Sequence, residues 1–142
     1  MNDKQITFLH VEDDNIDRMV VQRVLKKFPS VTTLYQAANG EEALDMLRGK
    51  NGKSLLTPFP NVILCDINMP KMNGIEFLKE LRADSQLRCL SVFILTTSND
   101  ENDKKQAHEL NVAGYILKPV DLSVFEAAFR ALTEYLQICE LP

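Results

Sequence analysis

Two unbroken apolar runs, Asn61–Cys65 (NVILC) and Ser91–Thr96 (SVFILT), constrain this chain more than any other feature. Each is too short for a helix and lacks the polar alternation of a strand with one wet face. Such runs belong to strands covered on both sides, as in a parallel sheet between two layers of helices. The rest of the sequence provides those helices. Thr7–Val11 (TFLHV), Thr33–Ala37 and Gly114–Leu117 (GYIL) predict three further strands. Between them, Val20, Val21, Val24, Leu25 and Phe28 fall on one helix face, which Asp14 or Asn15 can cap and Pro29–Ser30 ends. After the turn Asn39–Gly40, Ala43, Leu44 and Leu47 form a second face, and Ile75, Leu78 and Leu81 a third. A more polar helix is predicted over Glu101–Leu110, with Glu101 and Lys105 paired four residues apart. Leu122, Phe125, Phe129, Leu132 and Leu136 form the stripe of a last helix.

The order is (βα)₅, an α/β fold with right-handed crossovers and helices on both faces of a parallel five-stranded sheet. At 142 residues the chain predicts a single domain, 1–142, with a core over about 5–136 and no output domain. No apolar run approaches the ~20 residues of a membrane span. The start, MNDKQITFLHVEDD, has neither a basic n-region nor a cleavable apolar stretch, so a cytoplasmic protein is expected. A net charge of −4 lacks the basic footprint of a nucleic-acid binder. Cys65, Cys89 and Cys139 have no ligand-like spacing and read as reduced packing residues.

In an open α/β sheet, ligands sit outside the carboxyl ends of the strands. There this sequence puts Glu12 and Asp13 after the first strand, Asp66 after the third, Thr96 and Thr97 after the fourth, and Lys118–Pro119 after the fifth. Three carboxylates this close repel one another and call for protons or a cation. Oxygen ligands with few carboxylates suit Mg²⁺. A carboxylate can act as a nucleophile toward phosphorus, and phosphoryl transfer asks mainly for positioning and charge neutralisation. A cation, the Lys118 ammonium and a Thr hydroxyl would supply both.

Val11-Glu12-Asp13, Asp66 within CDINMPKMNG, Thr96 within ILTTS and Lys118-Pro119 within GYILKP together resemble the receiver domains of response regulators. The resemblance runs from about Gln5 to Leu136. It implies a flavodoxin-like, doubly wound sheet of strand order 2-1-3-4-5. It further implies a phosphoryl group taken onto Asp66 from a phosphohistidine of a cognate sensor histidine kinase, in a signalling protein that catalyses only its own phosphorylation and dephosphorylation. Asp13, Asp66 and the Asn68 carbonyl would bind Mg²⁺, with Glu12, where many receivers carry Asp, reaching it through water. Lys118, Thr96 and the Thr97 N–H would contact the phosphoryl group, and Tyr115 would follow Thr96 as a switch. Asn68 and Ser98 would set the phosphoryl lifetime. The Lys118–Pro119 bond is expected to be cis. Output is expected from the face of the fourth helix, fifth strand and fifth helix, through a weak homodimer, a target protein or a relay histidine phosphotransfer protein.

Blander readings accompany these. His10 reads as a satisfied buried histidine, His108 as solvated, and Met69-Pro70 and Asn73-Gly74 as turn structure in which Gly74 permits close approach or positive φ. The segment Gly49–Pro60 is long for a connection; it is compatible with a surface loop, and resembles an insertion in receivers that partner bacterial phytochromes. Rival classes fit less well. A haloacid-dehalogenase-type phosphatase needs a carboxylate where Asn68 stands. A flavin binder needs a phosphate loop where Glu12-Asp13-Asp14 would repel phosphate. A degenerate receiver, acting only as an interaction module, would have lost site positions that are intact here.

Overall fold

The buried first strand sorts its side chains into two cores. In the computed structural model, which describes residues 4–142, β1 (Ile6–Val11) is buried at every position. Ile6 and Phe8 pack on one side with α1 (Asn15–Leu25) and α5 (Leu122–Ile138). Leu9 and Val11 pack on the other with α2 (Gly40–Arg48), α3 (Gly74–Ala83) and Ala107 of α4 (Glu101–Glu109). Period-two alternation thus feeds two layers at once, as the unbroken apolar runs require. The remaining strands are β2 (Val31–Ala37), β3 (Val62–Cys65), β4 (Ser91–Thr96) and β5 (Gly114–Leu117). All pairings are parallel, in the order β2-β1-β3-β4-β5. The carboxyl ends of β1, β3, β4 and β5 therefore share one rim, with β3 central.

Helix starts are fixed by their caps. Asp14 accepts the Asp17 N–H at 2.9 Å, and Asn73 with Glu76 forms a reciprocal capping box at α3. Gly74 follows that cap without positive φ; its role is close approach. A Cβ there would lie 2.1 Å from the Asp66 carbonyl oxygen, and its N–H donates to the Ile67 carbonyl at 2.8 Å. The start of α3 is thereby fastened under the loop that follows Asp66.

Several expectations need correction. α1 ends at Leu25, and Phe28 reaches the core from the turn beyond it. Leu122 opens α5 on its wet side, so the buried stripe is Phe125, Phe129, Leu132, Thr133 and Leu136. Glu101 pairs with Lys104, 3.4 Å away, rather than with Lys105. Both lysines satisfy helical spacing, and only the side chains' directions decide between them. Cys65 is buried, but Cys89 is exposed and Cys139 half-buried; all three are free thiols. The only cis peptide bond among the described residues is Thr57–Pro58, so Lys118–Pro119 is trans, the form X–Pro bonds favour. Thr57–Pro58 lies in the Gly49–Pro60 segment, which the Tyr35 hydroxyl holds to the sheet by donating to the Pro58 carbonyl at 2.9 Å.

Candidate functional site

Each side chain of the rim is delivered by the residue where a strand stops. Glu12 and Asp13 follow β1, and Asp66 follows β3, which neighbours β1 in the sheet. Glu12, Asp13 and Asp66 each offer a carboxylate oxygen, all within 4.8 Å of one another. Glu12 and Asp66 are buried, while Asp13 is exposed at the mouth. This oxygen-only donor set fits a hard divalent cation. Asp66 Oδ1 accepts the Ile67 N–H at 2.7 Å, which fixes that carboxylate's orientation. Asn68 is exposed two residues on, with an amide where a dehalogenase-type acid would stand.

Lys118 leaves β5 and crosses to this cluster. Its Nζ lies 2.5 Å from Glu12 Oε1, 2.7 Å from Asp17 Oδ2 and 3.4 Å from Asp66 Oδ2. Asp66 is thus the most distant of the three. Burial works against the Lys118 charge, but its hydrogen bonds to Asp17 and Glu12 outweigh it and push the pKa up. The Glu12 pKa also rises, which for a carboxylate disfavours the charged form. Burial, with Asp66 adding repulsion, raises it to about 7 although Lys118 pulls it down. One ammonium shared among several acids leaves the most buried of them short of compensation.

Thr96 ends β4 fully buried, and its hydroxyl accepts the Ser98 N–H at 3.2 Å. The Ser98 carbonyl in turn accepts the Tyr115 hydroxyl at 2.8 Å. Thr96 and Tyr115 are therefore linked through the main chain of Ser98. Burial raises the Tyr115 pKa despite that bond to Ser98, so the phenol stays a donor. The Ser98 hydroxyl donates to Asp103 at 2.7 Å, toward the start of α4 rather than toward Asp66. Thr97 is exposed and, with Asp17, Val20, Lys118, Pro119, Val120, Leu122 and Phe125, lines an open cleft of 420 Å³.

Two residues near the site are not legible from sequence. Asp17, on the first turn of α1, carries no sequence signal that ties it to Lys118. His10 is buried as expected but is not satisfied: its Nδ1 has no hydrogen-bond partner among the described residues. Burial, with the Lys118 charge adding to it, lowers its pKa to about 3, so the ring is neutral. His108 is exposed as expected and lies tilted against the Tyr115 ring, 6.4 Å between centroids.

The family model for the response regulator receiver domain matches residues 8–130. Response regulator Rcp1 of Synechocystis sp. is 37% identical over 114 residues, which cover 80% of this chain and 77% of Rcp1. Among solved structures, the phosphorylated cyanobacterial phytochrome response regulator RcpA has a TM-score of 0.89 at 29% identity, covering 97% of this chain and 99% of that one. The Mn²⁺-bound form of Rcp1 has a TM-score of 0.84 at 31% identity, covering 96% and 99%.

Proposed function

The chain belongs to the response regulator receiver domain family, and from that premise we propose that Asp66 is its phosphoryl acceptor. Receiver domains are signalling proteins that take phosphoryl groups from histidine kinases. The observation that carries the assignment is the position of Asp66: a buried carboxylate at the end of the central strand, held by the Ile67 N–H and facing the Lys118 ammonium. An Asp66 carboxylate oxygen attacks the phosphorus of a phosphohistidine. The O–P bond forms, the N–P bond breaks, and the imidazole leaves with the electron pair and takes up a proton. Lys118 follows the charge onto the phosphoryl oxygens, and the Thr96 hydroxyl and Thr97 N–H complete the cradle. Receiver domains bind a divalent cation at an acidic pocket; here Mg²⁺, held by Asp13, Asp66 and the Asn68 carbonyl with Glu12 beside them, would neutralise charge on the transferring group.

The donor is a sensor histidine kinase. Exposed Ile16, Met19, Val120 and Val124, on α1 and around the start of α5, give it an apolar surface to dock on. Output runs through Thr96. When the phosphoryl group draws its hydroxyl inward, the Ser98 N–H loses its acceptor and Tyr115, bonded to the Ser98 carbonyl, is free to move. The α4–β5–α5 face then changes toward a target, a relay phosphotransfer protein or a second copy of this chain. Residence in the cytoplasm, beside the kinase's catalytic part, accords with this role. The similarity to phytochrome response regulators, together with the long segment before β3 that resembles an insertion in such receivers, makes a phytochrome-type kinase the first donor to try.

Mass spectrometry after incubation with acetyl phosphate and Mg²⁺ tests the acceptor. The wild type should gain one phosphoryl group on Asp66, and Asp66→Asn none while remaining folded. A mutant phosphorylated at wild-type rate on another residue would remove Asp66 from the role.

A further inference from the structure

Asp17 is the one close partner of Lys118 that the phosphoacceptor chemistry does not use. It lies in the first turn of α1, on an element other than those that carry the site's remaining groups. An acid three residues after a helix cap ordinarily reaches back to the cap's N–H. Here that donor is taken by Glu12, whose Oε2 accepts the Asp14 N–H at 3.3 Å. The Asp17 carboxylate is thereby left free, and it turns to Lys118 at 2.7 Å, against 3.4 Å from Lys118 to Asp66.

We propose that Asp17 is a positioning residue that parks Lys118 on the α1 side of the cleft in the resting state, so that an incoming phosphoryl group must take the ammonium from it. The proposal rests on Asp66 being the acceptor. Lys118 is almost enclosed while Asp17 is partly open to the cleft, with side-chain exposures of 9% and 37%. The ammonium can therefore exchange partners by a small swing of its Nζ, without leaving the site. A phosphoryl oxygen on Asp66 offers more negative charge than a single carboxylate oxygen, so the exchange runs toward the phosphoryl group once it has arrived. Before that, the Asp17 contact competes. The parked lysine sets a threshold: it lowers the affinity for a phosphoryl group or its analogue, and shortens the time for which the phosphorylated arrangement holds together.

The test uses the full chain and beryllofluoride, an unreactive phosphoryl analogue, in saturating Mg²⁺. Asp17→Asn keeps the size of the side chain and removes its charge. It should bind beryllofluoride about tenfold more tightly, the order expected when a competing charge-assisted hydrogen bond is removed. Asp14→Asn is the control. It removes an equal charge three residues away and retains a capping side chain, so a general field effect would move both variants alike. In metal-free protein, the Lys118 ammonium resonance should be sharp from slow proton exchange in the wild type and broadened in Asp17→Asn. Equal beryllofluoride affinity in wild type and Asp17→Asn, or equal gains in both variants, overturns the parking role and leaves the acceptor assignment standing. A wild type that takes up neither beryllofluoride nor a phosphoryl group overturns both.

Discussion

Gly74→Ala should damage the site from beneath without touching any reacting group. The added Cβ would sit 2.1 Å from the Asp66 carbonyl oxygen and 3.0 Å from the Ile67 Cα. Reaching even a 3.0 Å contact with that oxygen requires a displacement of 0.9 Å (3.0 − 2.1). Neither partner is a flexible side-chain tip, so the movement must come from main chain. Sliding α3 away does not absorb it freely, because that would break the Gly74 N–H bond to the Ile67 carbonyl, which ties the helix start to the loop after Asp66. Opposing this is alanine's better helix propensity, at most about 1 kcal/mol and less at a first helical position. Overpacking costs about 1–3 kcal/mol, and contact with backbone favours the upper end. The clash wins. A net loss of about 2 kcal/mol lowers Tm by about 7 °C for a domain of this size. Function should suffer more than stability, since a shift of ~1 Å at a reacting group can cost about a hundredfold in rate. Calorimetric melting and the rate of phosphorylation by acetyl phosphate measure the two effects. A variant that melts within about 2 °C of wild type and is phosphorylated at the same rate would refute the reasoning.

Asp13→Ala should weaken Mg²⁺ binding about tenfold or more by titration calorimetry while leaving the melting temperature of metal-free protein nearly unchanged, because Asp13 is exposed. Ser98→Glu should accelerate loss of the phosphoryl group after donor removal by placing a base near the path of the attacking water, although Asp103, which binds the Ser98 hydroxyl, will repel it; an unchanged decay rate counts against Ser98 as a lifetime determinant. Thr96→Ala should keep phosphorylation measurable while uncoupling it from self-association in sedimentation, and Tyr115→Ala should weaken association directly. Because the folded state holds the His10 pKa near 3 against an ordinary 6.5, the unfolded chain binds the proton first; stability is complete above 6.5 and falls as pH drops toward 3. Linkage puts the loss between pH 8 and pH 5 at about 2 kcal/mol, and His10→Leu in chelator-treated protein should remove that part of the slope.

The sheet was legible because its signal is local. NVILC and SVFILT can be buried strands and little else, and the helix stripes follow from a period of 3.6. The rim was legible because strand ends in such a sheet converge, so Glu12, Asp13, Asp66, Thr96 and Lys118 could be grouped without coordinates. What escaped depends on where side chains meet across elements. Nothing in the spacing of Asp17 and Lys118, 101 residues apart, reveals that the first turn of α1 faces the end of β5. Whether Glu101 takes Lys104 or Lys105 is a matter of rotamer, and both are compatible with the helix. His10 reads as an ordinary core histidine; whether its Nδ1 finds a partner depends on how neighbouring elements pack around it. Leu122 fitted the α5 stripe by spacing, yet the first turn of a helix can splay from the core that its later turns enter.

The misfit at Glu12 explains why the site should couple binding to stability. A shorter aspartate would sit farther from β5. The longer side chain lets Oε1 reach Lys118 at 2.5 Å while Oε2 accepts the Asp14 N–H at 3.3 Å. Even so, burial and the nearby Asp66 hold its pKa at about 7. Near neutral pH in the absence of metal, the fold therefore carries an unresolved choice between a protonated Glu12 and a strained ionised cluster. A divalent cation removes the choice by compensating the ionised form, so its binding strengthens as pH rises through 7 and stabilises the fold by mass action, about 2.7 kcal/mol at a hundred times Kd. The converse follows from the same linkage: Glu12→Gln, which ends the ionisation, should flatten the pH dependence of Mg²⁺ affinity near neutrality while raising the melting temperature of the metal-free protein above pH 7. If titration calorimetry at a series of pH values gives parallel curves for wild type and variant, the buried glutamate does not govern the site.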